Sequence, residues 1–170
     1  MNKQIIGLLV HNHPGVLLRV TSLFTRRGFN IDSLTVSPAG IEGYSRMTIR
    51  MSGDDDQVEQ FINQMLKIVD VKTAEVLPEE SSVAMELLLV KVSSDSDSKN
   101  DIISVTSSYH ASLVNIGDHS LTFRASGTPD QIDKLIEQLS GYGIIEMART
   151  GIAALSNGDK CLSDKLDGQE

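Results

Sequence analysis

QIIGLLVHNHPGVLLRVTSLFTRRGFNIDSLTV, residues Gln4 to Val36, is the stretch whose pattern decides the fold. Gln4 to Val10 is a strand-like apolar run that sets Ile6, Leu8 and Val10 on one face. HNHPG turns the chain. From Gly15 onward, Val16, Val20, Leu23 and Phe24 recur at the spacing of one apolar helical stripe. Arg26 and Arg27 then fall in the last turn, where positive charge suits the helix dipole, and Gly28 supplies the stop. That explains the two arginines more simply than a nucleic-acid patch does. Phe29 to Val36 returns as a second strand.

Working outward, Ser37-Pro38-Ala39-Gly40 breaks that strand, and Tyr44 to Met51 forms a third with clean alternation. Ser45, Met47, Ile49 and Met51 point one way, while Arg46, Thr48 and Arg50 point the other, so one sheet face is expected to be solvated. Asp54-Asp55-Asp56 opens a second helix with the charge its N-terminus prefers, and Val58, Phe61, Ile62, Met65 and Val69 line its buried side. Val71 to Leu77 is a fourth strand, and Pro78 to Ser82 reads as a linker. The order βαββαβ is a split βαβ arrangement, with two helices on one face of an antiparallel sheet.

The second half repeats the rhythm. Val83 to Val92 is a strand, SSDSDSKND a polar loop, and Ile102, Ile103 and Val105 belong to a short helix. Strands near Ala111–Ile116 and Ser120–Ser126 flank Gly117-Asp118, a hairpin signal. Thr128-Pro129-Asp130-Gln131 has the residues of a capping box, and Ile132, Leu135, Ile136 and Leu139 form the helix's apolar face. Gly143 to Ala148 closes the unit. The expected fold is α+β, with two ferredoxin-like βαββαβ domains at residues 3–78 and 83–160 and a flexible tail at 161–170.

Composition narrows the function. The 170 residues are 40% hydrophobic and 22% charged, the balance of a globular chain with room for two small domains. A domain of about 80 residues buries a thin core, so association between copies is expected to add stability. A formal net charge of −8 argues against nucleic acid or an anionic membrane as partner. The lone Cys161 makes no internal disulfide, and no apolar run has membrane-spanning length, so the chain reads as cytoplasmic.

A search for catalytic motifs finds no G-x-S-x-G elbow, Walker loop or dinucleotide fingerprint. His11 and His13 have an H-x-H spacing, but no Cys or further His completes a metal set, and exposed turn residues are the better account. His110 and His119 lack an evident nucleophile partner. The junction after Val10 is more specific. A loop with Asn12, Pro14 and Gly15 leads at once into a helix, whose first N–H groups can receive a carboxylate. Asn12 offers donor and acceptor atoms suited to a zwitterion, and Asn30 offers a second carboxamide. From these residues alone, a turn with glycine for backbone freedom remains the more economical account.

The stretch IIGLLVHNHPGVLLRVTSLFTRRGFNIDSLTV, with SRMTI after it, resembles the N-terminal ACT domain of acetolactate (acetohydroxyacid) synthase small, regulatory subunits. MELLLVKV, GIIEMARTGIAAL and Gly158-Asp159 extend the likeness from about Lys3 to Lys160. The polar Ser93–Asn100 loop and Asn157 depart from the family pattern. The resemblance implies a non-catalytic homodimer and a large catalytic partner that carries thiamine diphosphate, FAD and Mg²⁺. That partner would condense pyruvate with pyruvate or 2-oxobutyrate, the first shared step towards valine, leucine and isoleucine. It further implies that the small subunit activates the partner and confers feedback by valine or another branched-chain amino acid, held between paired ACT domains. The effector contacts it implies are Asn12, Gly15 and Asn30, with Val16, Leu17 and Ile31 lining the side-chain pocket. No catalytic residue, cofactor site or metal site is expected in this protein. A different use of the same domain would be a stand-alone amino-acid sensor regulating another enzyme or a transcription factor.

Overall fold

The computed structural model describes residues 2–166. Strand β1 spans Asn2–His11, helix α1 Val16–Arg27, β2 Ile31–Pro38, β3 Tyr44–Gly53, α2 Asp55–Met65 and β4 Val71–Val76. A 3₁₀ turn at Glu79–Ser81 leads into β5, Ser82–Ser93, followed by α3 Lys99–Ser108, β6 Ser112–Ile116 and β7 Ser120–Gly127. Helix α4 is Pro129–Ser140, β8 Ile144–Arg149 and β9 Ala153–Ser156, with a last 3₁₀ turn at Leu162–Lys165. The order is two βαββαβ repeats, as the sequence pattern requires. By contacts the polypeptide forms two compact units: one runs up to Ala84 and is taken up again from Gly151, and the other is Met85–Thr150.

In the first unit the sheet order is β2-β3-β1-β4, with every pairing antiparallel. Ile6, Leu8 and Val10 of β1 and Met47, Ile49 and Met51 of β3 form one apolar face. Val16, Val20 and Phe24 from α1, with Val58, Phe61 and Met65 from α2, cover it. Phe24 stacks on Phe61 at 5.1 Å between ring centroids, and Phe29 meets Phe61 edge-on at 5.4 Å. Asp54 caps α2 through a reciprocal pair of bonds with Gln57, at 2.8 and 3.1 Å. Val69, expected on the buried side of α2, is instead 82% exposed. The helix ends at Met65, so the helical spacing that joins Val69 to Met65 no longer operates there.

The other sheet face is not solvated. Leu9, Thr48, Thr73 and Leu77 are all buried, and residues beyond Gly151 cover them. Ile152 and Ala154 pack with Leu77, Ile5 and Ala84 in a small second core. Strand β9 pairs β5, whose first residues, up to Ala84, belong to this unit, and Asn157 N–H donates to Ser81 C=O at 2.8 Å. Arg46 donates from Nη2 to Ala154 C=O at 2.6 Å, which holds its guanidinium against the returning segment. A Cβ at Gly7 would lie 2.9 Å from Leu162 Cδ1 and 3.2 Å from Leu77 Cδ1, so the glycine makes room for that close approach.

Two expectations about the C-terminal part therefore need correction. Residues 151–160 pack with the first unit rather than the second, and Cys161 to Leu166 form an ordered turn with Leu162 buried. Residues 167–170 of the expected tail lie outside the described residues. Apolar residues at Ile152, Ala154 and Leu162 find a face of the first sheet that strand alternation marks as polar. Leu162→Ala is accordingly expected to lower the first unit's stability by about 2 kcal/mol, read from chemical denaturation. A free-hanging tail would leave the midpoint unchanged.

The second unit has strand order β6-β7-β5-β8. Its core joins Leu88, Val90 and Val92 of β5 to Leu121, Phe123 and Ala125 of β7, under Ile102 of α3 and Ile132, Leu135 and Leu139 of α4. Thr128 and Gln131 make the expected capping box, with Pro129 at the start of α4. The polar loop before α3 is knitted by Asp95, whose Oδ1 accepts from the N–H groups of Asp97 and Ser98 at 3.2 and 2.8 Å. Bonds from the Ser98 side chain and the loop's backbone outweigh desolvation and hold the Asp95 carboxyl below its ordinary range.

Candidate effector loop

His11 closes β1 opposite Tyr44, and the two rings stack at 5.0 Å. Asn12 leaves the strand with its N–H on Gly43 C=O at 2.8 Å and its side chain exposed. Gly15 has φ +91° and ψ −13°, a left-handed conformation natural to glycine, and α1 begins immediately after it. Helix α1 has no side-chain cap at its start, and its first turn carries no acidic residue. The opening amides thus keep the partial positive charge that favours a carboxylate. Leu17 and Leu18, in that first turn, are 45% and 69% exposed, an apolar surface beside polar amides.

One carboxylate braces the loop from behind. Asp70, in the turn before β4, is buried, and its Oδ1 bonds His13 Nε2 at 2.9 Å. Its Oδ2 accepts from Arg19 Nη1, and its backbone carbonyl accepts from His11 N–H at 2.9 Å. Desolvation pushes the Asp70 carboxyl up, but the His13 bond and the Arg19 charge outweigh it, leaving it below the ordinary carboxylate range. A carboxyl depressed in the folded state stabilises above its unfolded value, and that contribution disappears as pH falls through the lower folded value. The first unit should therefore lose stability as pH drops below about 4. Asp70→Asn should flatten that part of the pH–stability curve in acid titrations followed by circular dichroism.

The structure sorts the six candidate residues clearly. Asn12, Gly15 and Leu17 sit together around the entry to α1, and all three are exposed. Val16 points the other way: it is buried in the core with Val20 and Phe24, so it supports the loop and lines no open pocket in the single protomer. Asn30 is exposed just before β2, and Ile31 begins that strand, packed against the core. These last two are far from the loop. Ile31 pairs with Met51 while His11 pairs with Tyr44, seven residues along β3, roughly 23 Å at about 3.3 Å per residue. One protomer does not assemble the six residues into one place. Asp70, Arg19 and Leu18 were not singled out from the sequence, since Asp70 meets His13 across 57 residues with no motif to announce it.

The chain is similar to known proteins along most of its length. The family profile described as "AHAS small subunit-like ACT domain" matches residues 6–73, and that described as "Small subunit of acetolactate synthase" matches residues 85–158. An acetolactate synthase small subunit from Mycolicibacterium smegmatis is 40% identical over 155 residues, covering 91% of each chain. This chain belongs to the acetolactate synthase small-subunit family. A probable small subunit from Archaeoglobus fulgidus is 42% identical, over 93% of this chain and 99% of that one. The crystal structure of the small subunit from Thermotoga maritima superposes with a TM-score of 0.87 at 31% identity, over 94% of this chain and all of that one. The ACT domain and α+β class expected from the sequence are thereby established.

As a small subunit of acetolactate synthase, the protein is a regulatory component with a large catalytic subunit as partner. Among the described residues, no three His, Cys, Asp or Glu side chains gather as metal ligands, and no helix is long and apolar enough to cross a membrane. His13, one half of the H-x-H pair, is engaged with Asp70 instead. The ARTG segment, part of the family likeness, has a structural task in the second unit. Arg149 pairs with the buried Glu86 and donates to Asp133 at 2.6 Å, while Thr150 Oγ1 accepts from Leu87 N–H at 2.9 Å. Burial lowers the affinity of Arg149 for its proton, but the bonds to Asp133 and Glu86 outweigh it and raise that affinity.

Proposed function

We propose that this regulatory small subunit binds valine, or another branched-chain amino acid, between the ACT domains of two identical protomers. It thereby sets the activity of the large subunit. The observation that carries the proposal is the separation of Asn12 and Gly15 from Asn30 and Ile31 along the sheet. A two-fold axis beside the sheet brings the loop of one protomer to the opposite end of its partner's sheet, which unites both sets. Strand β2 lies at the sheet's edge with its outer backbone groups unpaired by the sheet, which suits such pairing. The amides of α1 would take the effector carboxylate and the two carboxamides its ammonium group. Leu17 and Ile31 would meet the aliphatic side group.

On this reading thiamine diphosphate, Mg²⁺ and FAD belong to the large subunit, and the holoenzyme that makes acetolactate works in the cytoplasm. Inhibition then follows from linkage. An effector that binds one quaternary arrangement tenfold better than another shifts their balance by about 1.4 kcal/mol. The test is reconstitution with the cognate large subunit, measuring acetolactate formation. The rate should rise on adding the small subunit and fall on adding valine, leucine or isoleucine. A rate indifferent to all three amino acids would remove the effector assignment, and one indifferent to the small subunit would remove the activating role.

A further inference from the structure

We propose that Asp70 is the positioning residue of the effector loop, holding the Asn12–Leu18 segment in the shape that receives the amino acid. This rests on the reading of that loop as the effector cradle. Three bonds from one residue fall on both sides of the segment. The Asp70 backbone holds His11 at the end of β1, Oδ1 holds His13 inside the loop, and Oδ2 holds Arg19 one turn into α1. Between these anchors the loop has one further backbone tie outward, Asn12 N–H to Gly43 C=O. Gly15 at φ +91° provides no stiffness of its own, because glycine tolerates many conformations. The rigidity needed to hold bare amides towards a ligand must come from outside the loop, and Asp70 is the group placed to supply it.

The energetics point the same way. Burying a carboxylate is costly even when it is paired, and an apolar residue at such a place is often as stabilising. What the charge adds is direction. Its two oxygens engage two different side chains at fixed angles, which dispersion contacts do not do. Arg19 and His13 are themselves well exposed, at 59% and 45% of their side chains. Without Asp70 they would sample many rotamers, and the loop would bind with the entropic cost of ordering it.

The experiment compares wild type, Asp70→Asn and Leu162→Ala in the full-length protein, each titrated with valine by calorimetry well below its unfolding temperature. Leu162 packs on the sheet face opposite the helices, so its truncation reports loss of stability without touching the loop. Valine affinity is expected to fall about tenfold or more in Asp70→Asn and to stay within about twofold of wild type in Leu162→Ala. Hydrogen exchange should show faster exchange at the Arg19 amide, which bonds Gly15 C=O, in the first variant and not in the second. Equal affinity in Asp70→Asn and wild type would overturn the inference, and so would an equal loss in both variants. If wild type itself takes up no valine, leucine or isoleucine, the effector reading falls and the inference falls with it.

Discussion

Gly15→Asp is expected to raise the valine concentration for half-inhibition of the reconstituted holoenzyme by about 10- to 100-fold, a loss of about 1.4–2.8 kcal/mol in effector binding. No collision within the protomer is responsible, since a Cβ at Gly15 would meet nothing within 4 Å. Two other effects act. A side chain at φ +91° is strained by roughly 1–2 kcal/mol, which loosens the entry to α1. The added carboxylate would also stand beside the amides to which the proposed effector's carboxylate is assigned. Gly15→Ala separates the two, because it carries the strain without the charge and should lose less affinity. Stimulation of the large subunit is the control. A variant that inhibits like wild type would refute the loop assignment, whereas loss of stimulation as well would report misfolding.

The largest effect on stability is expected in the other unit. Arg149→Ala should destabilise it by about 3 kcal/mol, because Glu86 would be left buried without its cation. Arg149 bonds three groups on two elements: Glu86 on β5, and Asp133 and the Pro129 C=O on α4. Its removal therefore loosens α4 from the sheet as well as orphaning the carboxylate. The loss of the Asp133 pair should matter less, since that carboxylate is half exposed and water replaces its partner. Chemical denaturation of the double variant Glu86→Gln with Arg149→Ala should show a smaller loss than Arg149→Ala alone. A double variant as unstable as the sum of both single changes would show that the pair is not coupled.

The proposed regulation follows from how the candidate residues are divided. The Asn12–Gly15 loop and the Asn30 end of edge strand β2 are built by one domain but at opposite ends of its sheet. On the proposed reading a site split in this way would be completed by pairing, so effector affinity and the pairing of protomers would be linked quantities. The returning segment after Gly151 adds a constraint from the same polypeptide, because it covers the sheet face that the helices leave open. Gly151 itself passes so close to Thr35 and the Leu34 backbone that any side chain there would displace β2 or the returning segment.

Most of the local structure could be read from residue order. Alternation in β3, the helical stripe of α1, the stop at Gly28 and the capping box at Thr128 depend on neighbours within a few residues, and all are present. The shape of the loop at Asn12 to Gly15 was legible for the same reason, because a strand, a glycine and a helix follow one another at once. Val16 lies where its helical spacing puts it, on the buried stripe with Val20 and Phe24, and it was the family resemblance, not the spacing, that assigned it to a pocket. Val69 is exposed because the periodicity that would bury it extends past the point where the helix stops.

What the sequence by itself determined was the pair of βαββαβ units, most residues of their two main cores and a helix start directly after a flexible glycine. Only the tertiary structure decided that the segment after Gly151 turns back onto the first sheet, that Asp70 braces the loop, and that Asn30 lies far from Asn12 in one protomer. The physical reason is range. Dihedral preference and periodic burial act between near neighbours, whereas a returning segment and a buried charge depend on groups that meet across 50 or more residues.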